Sequence, residues 1–171
     1  MKNNARVSTL VPALVALPFL ILNAGCTAKH PPAQAKSKAD ASHLGYTKKL
    51  VGVTDIDTAL TKVKTALKAQ GFGVITQINV QAVMKKKLGV DGKPYWILGA
   101  CNPKLAHKAI TADAFLGLLL PCKVIVFQAP DGSFLVSFAK PKKMFTLAKT
   151  PQLADLANQV DAKIKAAHDS L

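Results

Sequence analysis

The sequence contains no glutamate, and its one arginine is Arg6. Its nine acidic residues are therefore all aspartates, and lysine supplies almost all of the positive charge behind the net +14. Proteins that read nucleic acids usually rely on arginine, whose planar guanidinium matches phosphate and guanine. A surface whose cations are lysines favours diffuse solvation or attraction to anionic lipid and polymer. The composition therefore predicts no nucleic-acid partner.

Complete catalytic motifs are also missing from the chain. There is no HExxH zinc motif, no phosphate-binding loop and no dinucleotide fingerprint. Gly132-Ser133 lacks the flanking residues of a nucleophile elbow. We therefore expect a non-enzymatic domain that binds a ligand or has a structural role, and the sequence does not name the ligand.

The first 25 residues have the three-part layout of a secretion signal. Lys2 and Arg6 precede an uncharged apolar run, residues 10–22, which is too short to span a bilayer as a mature helix. The ending Ala24-Gly25-Cys26 resembles the lipobox of bacterial lipoproteins, in which the cysteine thiol receives a diacylglyceryl group. This resemblance implies a signal peptide over 1–25, lipid attachment at Cys26 and a membrane anchor on the periplasmic side of the cell envelope.

The lipobox match departs from the family pattern at one position. Asn23 stands where leucine is usual, so cleavage after Ala28 and a soluble periplasmic product form the alternative. Thr27 follows the cysteine in place of the aspartate that resembles an inner-membrane retention signal, which favours the outer membrane. Residues 26–44 are rich in Ala, Lys, Ser and Pro and are predicted to form a flexible tether.

Residues 45–171 carry the patterns of one folded domain. Apolar spacing predicts a helix over 54–70 and a final helix beginning at Thr150-Pro151, and Asn102-Pro103 predicts a further helix start. Alternating or continuous apolar stretches predict strands over 48–53, 73–80, 95–101, 122–128 and 133–140. A short helix is expected over 81–88, with Val83 and Leu88 facing inward. These elements predict a single α+β domain of two layers.

Four short stretches resemble the family called domain of unknown function 302. They are Gly-Phe-Gly-Val at 71–74, Leu-Gly-Ala-Cys-Asn-Pro at 98–103, Ala-His at 106–107 and Gly-Leu-Leu-Leu-Pro-Cys at 117–122. The resemblance covers roughly residues 45–168. It implies a strand, a helix, four strands and a helix in a layout similar to the TATA-binding-protein fold, and a domain able to form a homodimer. It implies no activity.

Three residues form the candidate site for chemistry. Cys101 ends one predicted strand and Cys122 begins the next, so the two thiols are expected at the same end of the sheet. Cys101 also precedes a helix N-terminus, which favours a thiolate. His107 lies about one turn into that helix and is expected to point toward the thiols.

Three interpretations of this site stay open from sequence. The cysteines can be structural, as an envelope disulfide or as small core residues. Thiolate and imidazole can bind Cu or Zn, although only three ligands are visible. Finally, Cys101 can be a reactive thiol that Cys122 resolves in redox or sulfur chemistry. The last two make a thiol-dependent redox or soft-metal protein the alternative function.

Overall fold

A computed structural model describes residues 43–148 and 153–171 of the protein. Within them five strands form one sheet, and five helices and two short 3₁₀ segments complete the domain. The strands are β1 (Gly45–Lys49), β2 (Gly73–Asn79), β3 (Tyr95–Cys101), β4 (Cys122–Gln128) and β5 (Phe134–Ala139). The helices are α1 (Ile56–Ala69), α2 (Val80–Leu88), α3 (Pro103–Ala112), α4 (Pro141–Phe145) and α5 (Ala154–Asp169).

The sheet has the order β1-β5-β4-β3-β2, and every neighbouring pair is antiparallel. Side chains alternate between its two faces, and the residues of one face are buried under α1 and α5. On β4 and β5 this buried set is the predicted one: Cys122, Val124, Val126, Phe134, Val136 and Phe138. The opposite face carries partly exposed residues, including the stacked rings of Tyr95 and Phe127.

Each of the two long helices contributes one apolar stripe to the core. In α1 the fully buried residues include Val63 and Leu67, and in α5 they include Ile164. Asp55 caps the N-terminus of α1 by accepting a hydrogen bond from the Thr58 amide at 2.8 Å. The predicted α+β two-layer domain, with its order of strand, helix, four strands and helix, is therefore confirmed.

Two predictions about the first half of the domain were wrong. The first strand covers Gly45–Lys49, because the chain turns at Gly52, whose φ of 68° ends the extended run. The predicted short helix exists as α2, but none of its residues is buried. Val83 and Leu88 are 47% and 67% exposed, because α2 links β2 to β3 away from the core. Periodicity alone could not reveal that this helix lacks a packing partner.

Two helical segments, one before β4 and one after β5, were not predicted as helices. The apolar link before Pro121 folds as a 3₁₀ segment, Ala114–Leu119, in which Leu116 is buried. The short helix α4 follows β5 directly, with Pro141 at its first turn, the position that proline favours. The helix α4 packs against α5, and the 3₁₀ segment packs against α3.

Three predictions fall outside the described residues. They are the signal peptide over 1–25, the lipid site at Cys26 and nearly all of the tether over 26–44. The predicted start of the last helix at Thr150-Pro151 also lies outside them, and α5 is described from Ala154. Among the helices that are described, none combines the length and the apolar character needed to cross a membrane.

Candidate functional site

The two cysteines of the domain lie at the same end of the sheet on neighbouring strands. Cys101 is the last residue of β3 and Cys122 is the first residue of β4, and these strands are antiparallel as predicted. The residue directly opposite Cys122 is Ala100, so Cys101 lies one position beyond it. Both thiols are free, and the disulfide considered from sequence is not formed in the structure.

Neither thiol has the lowered pKa of an activated nucleophile. Burial raises the pKa of Cys101 above its ordinary value. Burial, together with the nearby Cys101, raises the pKa of Cys122 to about 11. Because the thiolate is the nucleophile and the metal ligand, these raised pKa values do not favour a reactive or metal-binding thiol. This raised pKa does not support the expectation that the start of α3 favours a Cys101 thiolate.

His107 does not face the thiols. The buried face of α3 carries Leu105 and Ala109, whereas His107 lies on the other side of the helix and is exposed. Within the described ranges, no three His, Cys, Asp or Glu side chains are close enough together to hold a metal ion. The structure therefore places Cys101 and Cys122 near each other and separates His107 from them.

A small cavity adjoins Cys101 between the sheet and the helices. Phe72, Leu105, Phe145 and Val160 contribute to its walls, and its volume is about 20 Å³. That volume is close to what a single water molecule occupies. The space beside Cys101 therefore has no room for an organic substrate or cofactor without rearrangement of the core.

Sequence reasoning missed a buried polar contact between β1 and α5. The Tyr46 hydroxyl donates a 2.8 Å hydrogen bond to Asp161, which is only 6% exposed. The backbone N–H of Lys142 donates to the other oxygen of that carboxyl group at 3.4 Å. Burial and the neighbouring Asp161 raise the pKa of Tyr46 to about 12. These bonds tie α4, α5 and the edge of the sheet together, which indicates a structural role.

His168, near the end of α5, belongs to the same region. Its ring packs against those of Tyr46 and Phe138, with centroid distances of 5.9 Å and 6.1 Å. Its Nδ1 lies 2.8 Å from Asp169.

The sequence did contain a signal for the buried contact of Asp161. This acid lies one helical turn after buried Ala157, and an acid inside an apolar stripe usually has a buried partner.

An open groove runs beside β2 at the other edge of the sheet. Its volume is about 480 Å³, and it is lined by Lys64 and Lys68 of α1, residues 71–74 and Gln77. Gly71 reaches a φ of 78° in the turn that joins α1 to β2. The groove thus combines two cations, an apolar floor at Phe72 and the unpaired side of an edge strand. It is the described surface best suited to hold an extended ligand.

Comparison with known proteins gives a family match and matches to solved structures. The model of the family described as domain of unknown function DUF302 matches residues 46–171. The crystal structure of an uncharacterized conserved DUF302 protein from Bacillus stearothermophilus superimposes with a TM-score of 0.67 and 28% sequence identity. The match covers 74% of this chain and 96% of that one. No match was found among curated proteins.

Proposed function

The chain belongs to the DUF302 family, and from that premise we propose that it is an exported, lipid-anchored envelope protein whose domain binds a partner without catalysing a reaction. The anchor is the lipidated Cys26, and residues 26–44 connect it to the domain. The outer membrane is the proposed address, with a soluble periplasmic form as the alternative.

The observation that carries the binding role is the groove beside β2. It presents Lys64 and Lys68 next to a strand whose outer side has no neighbour in the sheet. Proteins commonly bind extended segments at such edges, where main-chain hydrogen bonds supply affinity and adjacent side chains supply specificity. The predicted chemical site offers no comparable support for the redox or metal alternative, because burial raises the pKa of both thiols and His107 faces away.

Detergent partitioning of the native protein tests the anchoring part of this proposal. The wild-type protein, expressed in an envelope-forming bacterium, is expected in the detergent phase, since lipidation supplies hydrophobic membrane affinity. The Cys26→Ser variant should move to the aqueous phase and keep the same melting temperature. Mass spectrometry of the wild type should find a diacylglyceryl-modified Cys26 as its first residue. An unmodified protein beginning after Ala28 would instead establish the soluble form.

A further inference from the structure

The outer side of β2 lacks charge and proline, two of the features that usually protect a sheet edge. β2 pairs with β3 on one side and is the last strand of the sheet on the other. Its sequence, Gly73–Asn79, contains no charged residue and no proline. Ile75 and Ile78 on this strand are 63% and 47% exposed. Natural proteins usually place lysine, proline or a covering element at such an edge, since its free N–H and C=O groups are a template for another strand.

The pairing of β2 with β3 limits where a further strand can bind. A register shift between Val74 and Thr76 interrupts the ladder, and pairing is regular from Thr76 to Asn79. A bulge of this kind bends the strand and twists the edge locally. The regular part of the edge is thus about four residues long, which is the length of a short linear segment and too short for a large interface.

The side chains of β2 show which face of an added strand would meet the lysines. Val74 pairs with Ala100 and Gln77 pairs with Leu98, and both partners face the helical layer. Lys64 and Lys68 lie on α1 in that same layer and line the groove with Val74 and Gln77. Every second side chain of an added strand would therefore point toward the two lysines.

The spacing of the lysines matches the spacing of alternate strand residues. Lys64 and Lys68 are four residues apart on α1, which corresponds to roughly 6 Å along a helix axis. Residues two apart on a strand are separated by about 6.7 Å. Neither lysine forms an ion pair with any residue in 43–148 or 153–171. Two carboxylates at positions i and i+2 of an added strand would therefore each meet one cation.

A second copy of this chain fits the edge poorly. Antiparallel pairing of β2 with β2 of a second copy would place both α1 helices on the same face of a continuous sheet. Lys64 and Lys68 would then face their own counterparts across the two-fold axis, and like charges repel. This chain also has few acidic segments of its own, since Asp55 and Asp57 are its only aspartates two residues apart and they begin α1.

We propose that the β2 edge binds an extended segment of a partner protein by strand addition. The segment carries Asp or Glu at two alternate positions facing Lys64 and Lys68, and β-branched or aromatic residues between them that lie beside Ile78. This inference rests on the proposed binding function and names the class of partner.

Selection from a random peptide library on the full-length, detergent-solubilised protein provides the test. The expected consensus has acids at i and i+2 with β-branched or aromatic residues at i+1 and i+3. The consensus peptide is then synthesised in two forms, one unmodified and one N-methylated at alternate backbone nitrogens. Strand addition requires those N–H groups, so binding measured by fluorescence anisotropy should be lost in the N-methylated form.

Two matched protein variants separate local recognition from general charge attraction. Lys64→Gln with Lys68→Gln removes the two groove cations and should weaken binding about tenfold, which corresponds to two exposed ion pairs. Lys104→Gln with Lys108→Gln removes the same charge at the same spacing from exposed positions of α3 and should change the dissociation constant less than twofold.

Three results would overturn the inference. They are equal binding of the N-methylated peptide, equal effects of the two variant pairs, and a selection that yields no acidic consensus. Peptides whose binding does not depend on Lys64 and Lys68 would overturn the strand-addition inference. The proposed binding function would then be assigned to another surface. If no peptide is selected, the inference fails, while the partitioning result for Cys26 decides the anchoring proposal separately.

Discussion

The two edges of the sheet are built in opposite ways. β1 is five residues long, ends in Lys48 and Lys49, and is held from the helical side by the Tyr46–Asp161 hydrogen bond. The Lys48 ammonium donates to the backbone oxygens of His168 and Asp169 at the end of α5. β2 has no charge and no comparable attachment in its own residues. The β1 edge is thus protected by lysines and by packing against α5. The opposite edge, β2, has free main-chain groups that can pair with another strand.

Breaking the polar contact at the closed edge should have the largest effect on stability. Asp161→Ala leaves the Tyr46 hydroxyl and the Lys142 amide without their acceptor, and we expect the free energy of unfolding to fall by about 3 kcal/mol in urea titrations.

The Tyr46→Phe/Asp161→Leu double variant provides the control for that measurement. It removes the donor and the acceptor together, so its loss should be clearly smaller than the sum of the two single losses. Simple additivity of Tyr46→Phe and Asp161→Leu would show that the hydrogen bond does not stabilise the edge.

Gly99 lies on β3 opposite Thr76 of β2, and a substitution there should have an intermediate effect on stability. A Cβ added at Gly99 would collide with the Thr76 hydroxyl of β2 and would lie 2.5 Å from Pro121 Cγ. Overpacking of this kind costs about 1–3 kcal/mol, so Gly99→Ala should lower the unfolding midpoint. Gly92→Ala is the matched control, because no atom lies within 4 Å of the added methyl group. A Gly99→Ala midpoint equal to that of the control would contradict the crowding.

Exchanging an apolar residue and a lysine between the two edges should have the smallest effect on stability. It should make the β1 edge more able, and the β2 edge less able, to pair with another strand. Ile78→Lys places a charge on the regular part of β2, and Lys49→Ile removes one from β1, at side chains that are both exposed. Each change should alter the free energy of unfolding by less than about 1 kcal/mol.

Light scattering and peptide binding measure the consequence of that exchange. Lys49→Ile should increase self-association, whereas Ile78→Lys should weaken binding of the selected peptide. Retention of full peptide affinity by Ile78→Lys would show that β2 is not the pairing edge.

Much of the helix and strand layout could be predicted from the sequence. β3 and β4 begin and end where the sequence patterns predict, and α3 begins where Asn102-Pro103 predicts a helix start, because clear apolar patterns meet strong boundary residues there. The position of β1 was missed because Leu50 and Val53 continue its apolar pattern beyond the turn at Gly52. The exposure of α2 was missed because periodicity reports a potential packing face and does not report whether a neighbour covers it.

The sequence by itself determined the fold class, the sheet-forming segments and the placement of Cys101 and Cys122 at one end of the sheet. The first two follow from local periodicity. The third follows because the connection between two neighbouring antiparallel strands begins and ends at the same end of the sheet. Only the tertiary structure decided that the thiols are desolvated, that His107 faces away, that Asp161 bonds Tyr46, and that Lys64 and Lys68 flank a free strand edge. Solvation and charge depend on what lies nearby in space, and residues 46 and 161 meet only when the sheet and α5 pack together.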